Sequence, residues 1–225
     1  MSDRRTVQIR ESISAAQRLE EKNQALRNFV SAKISALHHL VALPEKNPEE
    51  ELLQFITNYI KHVPDFIDAL EELTQSAGIY DYAERFLAMA EDYFINPLEL
   101  VNDHTGMLQL IDDAYLAHRL IEEINDRVTM THGVPLAPMD MTMSNIIVHE
   151  LLGEDFANQL DLAVHYAIES FFNFEEFASN PAFERYVAMR QQNGWQDALE
   201  KWPCLAGDSA ISLDLEHQFP THLSH

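Results

Sequence analysis

Residues 106–130 read GMLQLIDDAYLAHRLIEEINDRVTM, and this stretch decides the fold. After its first residue it contains no proline or glycine, and its apolar residues return at steps of three and four. Such steps place side chains on one face of an α-helix, because the helix turns by about 100° per residue. The stretch predicts a long amphipathic helix with an apolar stripe formed by Ile111, Ala114, Ala117, Ile121, Ile124 and Val128. The opposite stripe is polar and consists of Asp112, Arg119, Glu123 and Arg127.

The composition of the whole chain also favours helices. Only 6 of the 225 residues are glycine, which leaves few positions suited to the positive φ angles of hairpin turns. Hydrophobic residues make up 46% of the chain, enough to bury a sizeable core. We predict an all-α protein, a single bundle of about seven to nine helices over residues 1–201. An irregular tail is expected over residues 202–225.

The N-terminal stretch has the longest uninterrupted helical pattern. No proline or glycine occurs from Arg4 to Leu40, and apolar residues again recur at three- and four-residue steps. The pattern predicts a long N-terminal helix over residues 1–43, or two helices joined near Lys22 and Asn23. A stripe of this length is a candidate dimerisation element that packs against the same helix of a second subunit. Core packing within one chain is the simpler alternative.

Prolines divide the next part of the chain. Asn47 and Pro48, followed by three glutamates, predict a helix start in which Asn47 supplies the cap. We expect this helix to end near His62, because Pro64 begins a second helical segment. That segment is expected to stop at Gly78.

Later in the chain, two segments have the apolar spacing of a helix and one has the alternation of a strand. A strongly apolar helix is expected over residues 154–177, and Asn180-Pro181 predicts the start of the last helix. Within the tail, residues 211–216 alternate apolar and polar side chains, which is typical of a strand. An all-helical chain offers such a strand no mate. We therefore expect an extended segment over the bundle, with a strand added to a partner as the alternative.

Acidic residues are concentrated in the body of the chain. Residues 1–61 contain nine Lys or Arg and eight Asp or Glu, a net charge of +1. Residues 62–225 contain six and twenty-nine, a net of −23, so the whole chain carries −22. Such a surface repels the phosphates of nucleic acids and anionic lipids. We expect no nucleic acid and no membrane as partner, and favour a basic protein partner or a divalent cation.

The cysteine content and the N-terminus indicate the compartment. Cys204 is the only cysteine, so the chain forms no internal disulfide. The N-terminus lacks the apolar core of a signal peptide, and no stretch approaches the roughly 18 apolar residues of a membrane span. We therefore expect a cytoplasmic protein that does not cross a membrane.

Pairs of histidine and acidic side chains suggest a metal site. His118 and Glu122 lie four residues apart at the edge of the apolar stripe, and Asp161, His165 and Glu169 repeat that spacing in a later helix. Side chains at this spacing point the same way and can hold one cation, or the carboxylate can orient the imidazole. These five residues are the candidate ligands of a divalent Zn, Fe or Mn ion. The alternative is a polar edge of the core.

Residues 132–149, called the broken stretch below, lie between the two helices that carry these pairs. Two prolines and a glycine interrupt it, and loops held in this way position polar groups rigidly. It contains four polar residues that would adjoin the same site, namely His132, Asp140, Asn145 and His149. The alternative is a helix connection with an ordinary cap.

No sequence motif identifies a reaction. The serine-hydrolase, Walker and dinucleotide-binding signatures are absent, so we assign no catalytic residue and lean towards a protein that is not an enzyme. The leading hypothesis is a protein-binding regulator, adaptor or chaperone-like module that acts through protein–protein contact. The alternative hypothesis is a metal-binding helical bundle, either an enzyme or a sensor, built on the His-Glu pairs.

Overall fold

The protein is represented by a computed structural model that describes residues 2–37, 40–97, 104–195, 202, 205 and 210–214. The prediction of an all-α bundle is confirmed. Two strands of two residues each, β1 (Val41–Ala42) and β2 (Ser212–Leu213), and a 3₁₀ turn at Gly106–Leu108 accompany the helices. Within the described ranges the helices are α1 (Ser2–Asn23), α2 (Ala25–Lys33), α3 (Pro48–Ser76), α4 (Tyr80–Ile95), α5 (Leu110–His132), α6 (Thr142–Leu152), α7 (Glu154–Phe171), α8 (Phe174–Ala178) and α9 (Pro181–Asn193).

The N-terminal helix is divided, as the second of the two alternatives expected. Gln24 adopts a left-handed conformation with φ of 53°, which ends α1 and begins α2. The carboxylate of Glu20 accepts hydrogen bonds from the backbone N–H groups of Leu26 and Arg27, which the new helix start leaves without helical partners. Helix α2 ends at Lys33, so helical structure does not continue to residue 43.

The apolar stripe of α1 is used inside the chain. Ile9 and Ile13 are buried, and α1 packs against α3 and α4. Packing within one chain therefore accounts for this stripe, and the homodimer stays a prediction.

Helix α3 passes through Pro64 without a break, so the expected helix end near His62 is wrong. Pro64 cannot donate a backbone hydrogen bond, and interior prolines usually break or kink a helix. Here residues on both sides, including Ile60 and Ile67, are buried in the same core, and their packing holds the two halves in one helix. The start at Pro48 is as predicted. Asn47, however, has φ of 52° and its side chain forms no capping hydrogen bond.

Helix α5 is the central element of the bundle. It packs against α3, α4, α6 and α7, and its predicted apolar stripe is buried. The polar stripe is not the solvent-facing surface that we expected. Asp112 is buried, while Arg119 and Arg127 form ion pairs with Asp161 and Glu169 of α7. The reason is that α5 has neighbours on several sides, whereas the prediction gave it one buried face.

The apolar helix expected over residues 154–177 is two helices. Phe172 has an extended conformation between α7 and α8, and the Asn173 side chain accepts a hydrogen bond from the backbone N–H of Glu176. The start of α9 is as predicted. Asn180 accepts hydrogen bonds from the backbone N–H groups of Ala182 and Phe183, at 2.8 and 3.4 Å.

The strand-like part of the tail has a mate within the chain, contrary to expectation. Strand β2 is antiparallel to β1, with Val41 opposite Leu213 and Ala42 opposite Ser212. Most of the predicted tail lies outside the described residues, as do Cys204 and the end of the strand-like segment. Among the helices of the described residues, none combines the length and the apolar character needed to cross a membrane.

Candidate functional site

A cleft of about 450 Å³ opens beside α5, α6 and α7. Its lining contains four acidic residues, Glu122, Asp126, Glu150 and Asp161, and a single basic one, Arg119, among the described residues. Apolar and aromatic surface comes from Leu40, Tyr115 and Ile146, and the remaining lining from Thr142, Asn145 and His149. The cleft is therefore acidic and also presents apolar surface.

Glu122 anchors one half of a hydrogen-bond network in the cleft. The Tyr59 hydroxyl on α3 donates to Asn145 Oδ1 on α6 over 2.6 Å, and Asn145 Nδ2 donates to Glu122 Oε2 over 2.7 Å. The Thr142 hydroxyl donates to Glu122 Oε1 over 3.2 Å, and the Arg119 guanidinium donates to Glu122 Oε2. Glu122 is only 6% exposed, and these three donors replace the water that its carboxylate has lost.

Arg119 connects this half to α7. Its Nε donates to Asp161 Oδ1 over 2.9 Å, and the Tyr115 hydroxyl donates to the same oxygen over 3.1 Å. Burial lowers the pKa of Arg119, but the hydrogen bond to Asp161 and the charge of Glu122 outweigh it and raise the pKa above its usual value. The guanidinium therefore stays charged, and two carboxylates neutralise it.

The two tyrosines of the network act as hydrogen-bond donors. Burial raises the pKa of Tyr59 and of Tyr115, and the neighbouring charge of Asp161 raises that of Tyr115 further. Both phenols consequently remain protonated near neutral pH. They are suited to holding carboxylate and amide oxygens in place rather than to taking up a proton.

Two further acids lie in the cleft without such compensation. Asp126 follows Glu122 by one turn of α5, and Glu150 is on α6. Partial burial, followed by the charges of Glu122 and Glu123, raises the pKa of Asp126. Neither Asp126 nor Glu150 forms an ion pair within the described part of the chain. The cleft thus contains two acids without an ion-pair partner in the described part of the chain, although the charge of Arg119 partly offsets those of Glu122 and Glu123 at Asp126.

His118 does not face this cleft, although it precedes Glu122 by four residues. It is fully buried against α3, with its ring centroid 4.5 Å from that of Tyr59, 5.5 Å from His62 and 5.8 Å from Phe66. Its Nε2 lies 3.0 Å from the Tyr59 carbonyl oxygen. Burial, followed by the charge of His62, lowers the pKa of His118 to about 3, so the imidazole is neutral.

The three candidate ligands on α7, Asp161, His165 and Glu169, also point to different surroundings. Asp161 belongs to the network, whereas His165 is exposed beside Tyr166, and Glu169 forms an ion pair with Arg127 over 2.7 Å. The two His-Glu pairs do not converge. Among the described residues, no group of three or more His, Cys, Asp or Glu side chains is arranged to hold a metal ion.

The four polar residues of the broken stretch have different positions. Asn145 lies in the network and His149 lines the cleft, with its Nε2 3.3 Å from Asn158 Oδ1. Asp140 accepts a hydrogen bond from the backbone N–H of Thr142, the first residue of α6, but Met141 holds the cap position and forms no side-chain capping bond, so the ordinary cap expected as the alternative is not found there. His132 packs its ring edge against Phe183, away from the cleft.

Several residues of the cleft were not predicted. Arg119 was assigned to the polar stripe, although its spacing of three from Glu122 on one helix indicated a contact. Asp126 also follows Glu122 by four residues, which signalled two acids on one face. Tyr59 and Tyr115 gave no such signal, because tyrosine at an apolar helical position reads as an ordinary core residue.

Comparison with protein-family models, with curated proteins and with solved structures finds no match to this chain.

Proposed function

We propose that this protein is a protein-binding module whose acidic cleft takes up a lysine or arginine side chain of a basic partner. The observation that carries the proposal is that Asp126 and Glu150 both line the cleft without an ion-pair partner among the described residues, while the one guanidinium of the neighbouring network is already neutralised. Carboxylates without such a partner attract a cation, and the partly enclosed cleft strengthens that attraction relative to bulk water.

The shape and lining of the cleft fit a basic side chain better than a bare metal ion. Lysine and arginine carry a charged head on an aliphatic stem. In the proposed complex the stem contacts Leu40 and Ile146, while the head is attracted by the acidic lining to which Asp126 and Glu150 contribute. A bare divalent ion would gain nothing from the apolar part of this lining.

We propose binding rather than chemistry at this site. Glu122, Asp161 and Arg119 are engaged with one another or with neighbouring donors, and the two tyrosines keep their protons. A network of this kind holds the shape of the cleft. The role of the molecule is then that of a regulator or adaptor, in which the rigid network positions the two binding carboxylates.

A cytoplasmic location and a homodimer belong to this proposal as separate statements. The location rests on the single cysteine, and the dimer on the apolar side chains of Val7 and Leu19, which stay exposed on α1. Sedimentation of the purified protein tests the dimer directly. A monomer throughout the range of tens of micromolar, an order-of-magnitude range for weak association, would remove it and leave the cleft proposal unaffected.

Calorimetric titration with a basic peptide tests the function. The probe is an end-capped heptapeptide in which Lys alternates with Val. We expect the double variant Asp126→Asn/Glu150→Gln to bind it about tenfold more weakly than the unaltered protein, because the charges that hold the Lys head are gone. Salt at about 1 M, where the Debye length is about 3 Å, should weaken binding to the unaltered protein as well.

The matched control is Glu11→Gln/Glu72→Gln. These two exposed acids lie on α1 and α3, and their replacement changes the net charge by the same amount. We expect this control to bind the peptide like the unaltered protein. Equal affinity for all three proteins would show that overall acidity, not the cleft, attracts the peptide, and would overturn the proposal.

A further inference from the structure

The two-stranded ribbon lies against the acidic cleft. Strand β1 begins one residue after Leu40, which lines the cleft. The backbone N–H of Asp214, the residue after β2, donates to the Leu40 carbonyl oxygen over 2.7 Å. This bond continues the antiparallel register in which Val41 is opposite Leu213. The segment 211–214 is therefore attached directly to one wall of the cleft.

The attachment is short. Each strand has two residues, and the described sheet contains only these two strands. Isolated two-stranded ribbons are marginally stable in water. Ile211, which is 2% exposed, adds an apolar anchor at one end of the segment. Leu213 also packs against the core, so a competing strand has to replace the backbone hydrogen bonds of this short ribbon and the contacts of these two side chains.

The residue at the other end of the segment, Asp214, is an acid. Residues directly opposite each other in an antiparallel pair point to the same side of the sheet. The side chain of Asp214 accordingly lies on the same side of the ribbon as that of Leu40. An acid thus stands next to a cleft wall where Asp126 and Glu150 already contribute negative charge. A lysine or arginine at this register position would be attracted instead.

We propose that residues 211–214 form a displaceable latch, and that an extended, basic segment of the partner replaces them beside β1. The partner strand takes over the hydrogen bonds of Leu40 and its neighbours, and its basic side chain at the position of Asp214 enters the cleft. Strand addition of this kind gives affinity through the main chain and specificity through alternate side chains. This inference rests on the function proposed above. It adds that the partner segment binds in an extended conformation and that residues 211–214 of the protein compete with it for the edge of β1.

Calorimetry with two variants of residue 214 tests the latch. Asp214→Pro removes the N–H group that bonds to Leu40, whereas Asp214→Asn removes the same charge and keeps that group. The heptapeptide of alternating Lys and Val should bind Asp214→Pro about two- to tenfold more tightly than Asp214→Asn, because the competing strand is weakened by about one hydrogen bond. A peptide of the same length with Pro in place of Val has the same charge, cannot pair as a strand, and should bind both variants equally.

Amide hydrogen exchange of the unaltered protein gives a second readout. On addition of the heptapeptide, the amides of residues 211–214 should lose protection as the latch leaves. Equal affinity of the two variants, or unchanged protection of these amides while the peptide binds, would overturn the latch and leave the cleft proposal standing. Failure of the peptide to bind the unaltered protein and both variants would overturn the cleft proposal, and the latch with it.

Discussion

Helix α5 holds two buried polar groups, one turn apart, in different ways. Glu122 receives hydrogen bonds from three side chains and borders an open cleft. His118 is enclosed by the rings of Tyr59, His62 and Phe66, and its Nδ1 has no hydrogen-bond partner among the described residues. Burial alone therefore does not mark a functional group. What separates the two is that Glu122 borders an open cleft, whereas aromatic rings enclose His118.

The difference also concerns charge. The network around Glu122 keeps ionised groups inside the bundle by pairing them, whereas the surroundings of His118 keep it neutral. A buried ionised network is strongly destabilised when one partner is removed, because a charge is then left without compensation. A neutral buried histidine is instead sensitive to pH. The two regions can be distinguished by these separate responses.

The largest expected effect is that of Arg119→Ala. Removal of this guanidinium leaves Glu122 buried without its cation and also breaks the contact with Asp161, and we expect a loss of about 3 kcal/mol in the free energy of unfolding. Urea denaturation measures it. The control is Arg127→Ala, which breaks the ion pairs with Glu123 and with the half-exposed Glu169 and should cost less, because neither carboxylate is buried as Glu122 is. Equal losses in the free energy of unfolding for the two variants would mean that the cleft network contributes no more to stability than a surface ion pair.

A second effect, identified by its pH dependence, is expected for His118→Gln. The unfolded-state pKa of histidine is about 6.5, and burial lowers the pKa of folded His118 to about 3. As pH falls through this window, the unfolded chain takes up a proton that the folded protein does not, so stability decreases by at most about 1.4 kcal/mol per pH unit. The glutamine variant lacks this contribution but retains a donor for the Tyr59 carbonyl.

Comparing the unaltered protein with the His118→Gln variant separates the pH dependence due to His118 from the opposite pH dependence due to Asp113. Burial, followed by the charge of Asp112, raises the pKa of Asp113 to about 8, so Asp113 makes the protein less stable as pH rises towards that value. Asp113 is present in both proteins, and its contribution cancels. Urea denaturation between about pH 7 and about pH 4 should show the difference in stability between unaltered protein and variant falling with pH. A difference that stays constant would contradict the neutral, enclosed state of His118.

Much of the fold could be predicted because it depends on local pattern. The apolar steps of α5, the cap at Asn180 and the inward position of Glu122 each follow from residues within a turn or two of one another. Pro64 escaped prediction because its helix is held by tertiary packing that overrides the local preference. The pairing of β1 with β2 joins residues that are far apart in sequence, and two-residue strands give almost no periodic signal.

The cleft was only partly predictable for a similar reason. Spacing of four residues correctly indicated that His118 and Glu122 both lean inwards. It could not indicate which neighbour covers each side chain, and here α3 covers His118 while α6 supplies donors to Glu122. The ion pair between Arg119 and Asp161 depends on how α5 and α7 pack against each other, and no local sequence pattern indicates that packing.

Reversal of charge in the cleft tests the central claim most directly. The variant Asp126→Lys/Glu150→Lys is titrated with two end-capped heptapeptides, one alternating Lys with Val and the other alternating Glu with Val. We predict that the variant loses affinity for the Lys peptide by about tenfold or more and binds the Glu peptide more tightly than the unaltered protein does. Unchanged affinity for the Lys peptide in this variant would contradict the assignment of the cleft as the binding site.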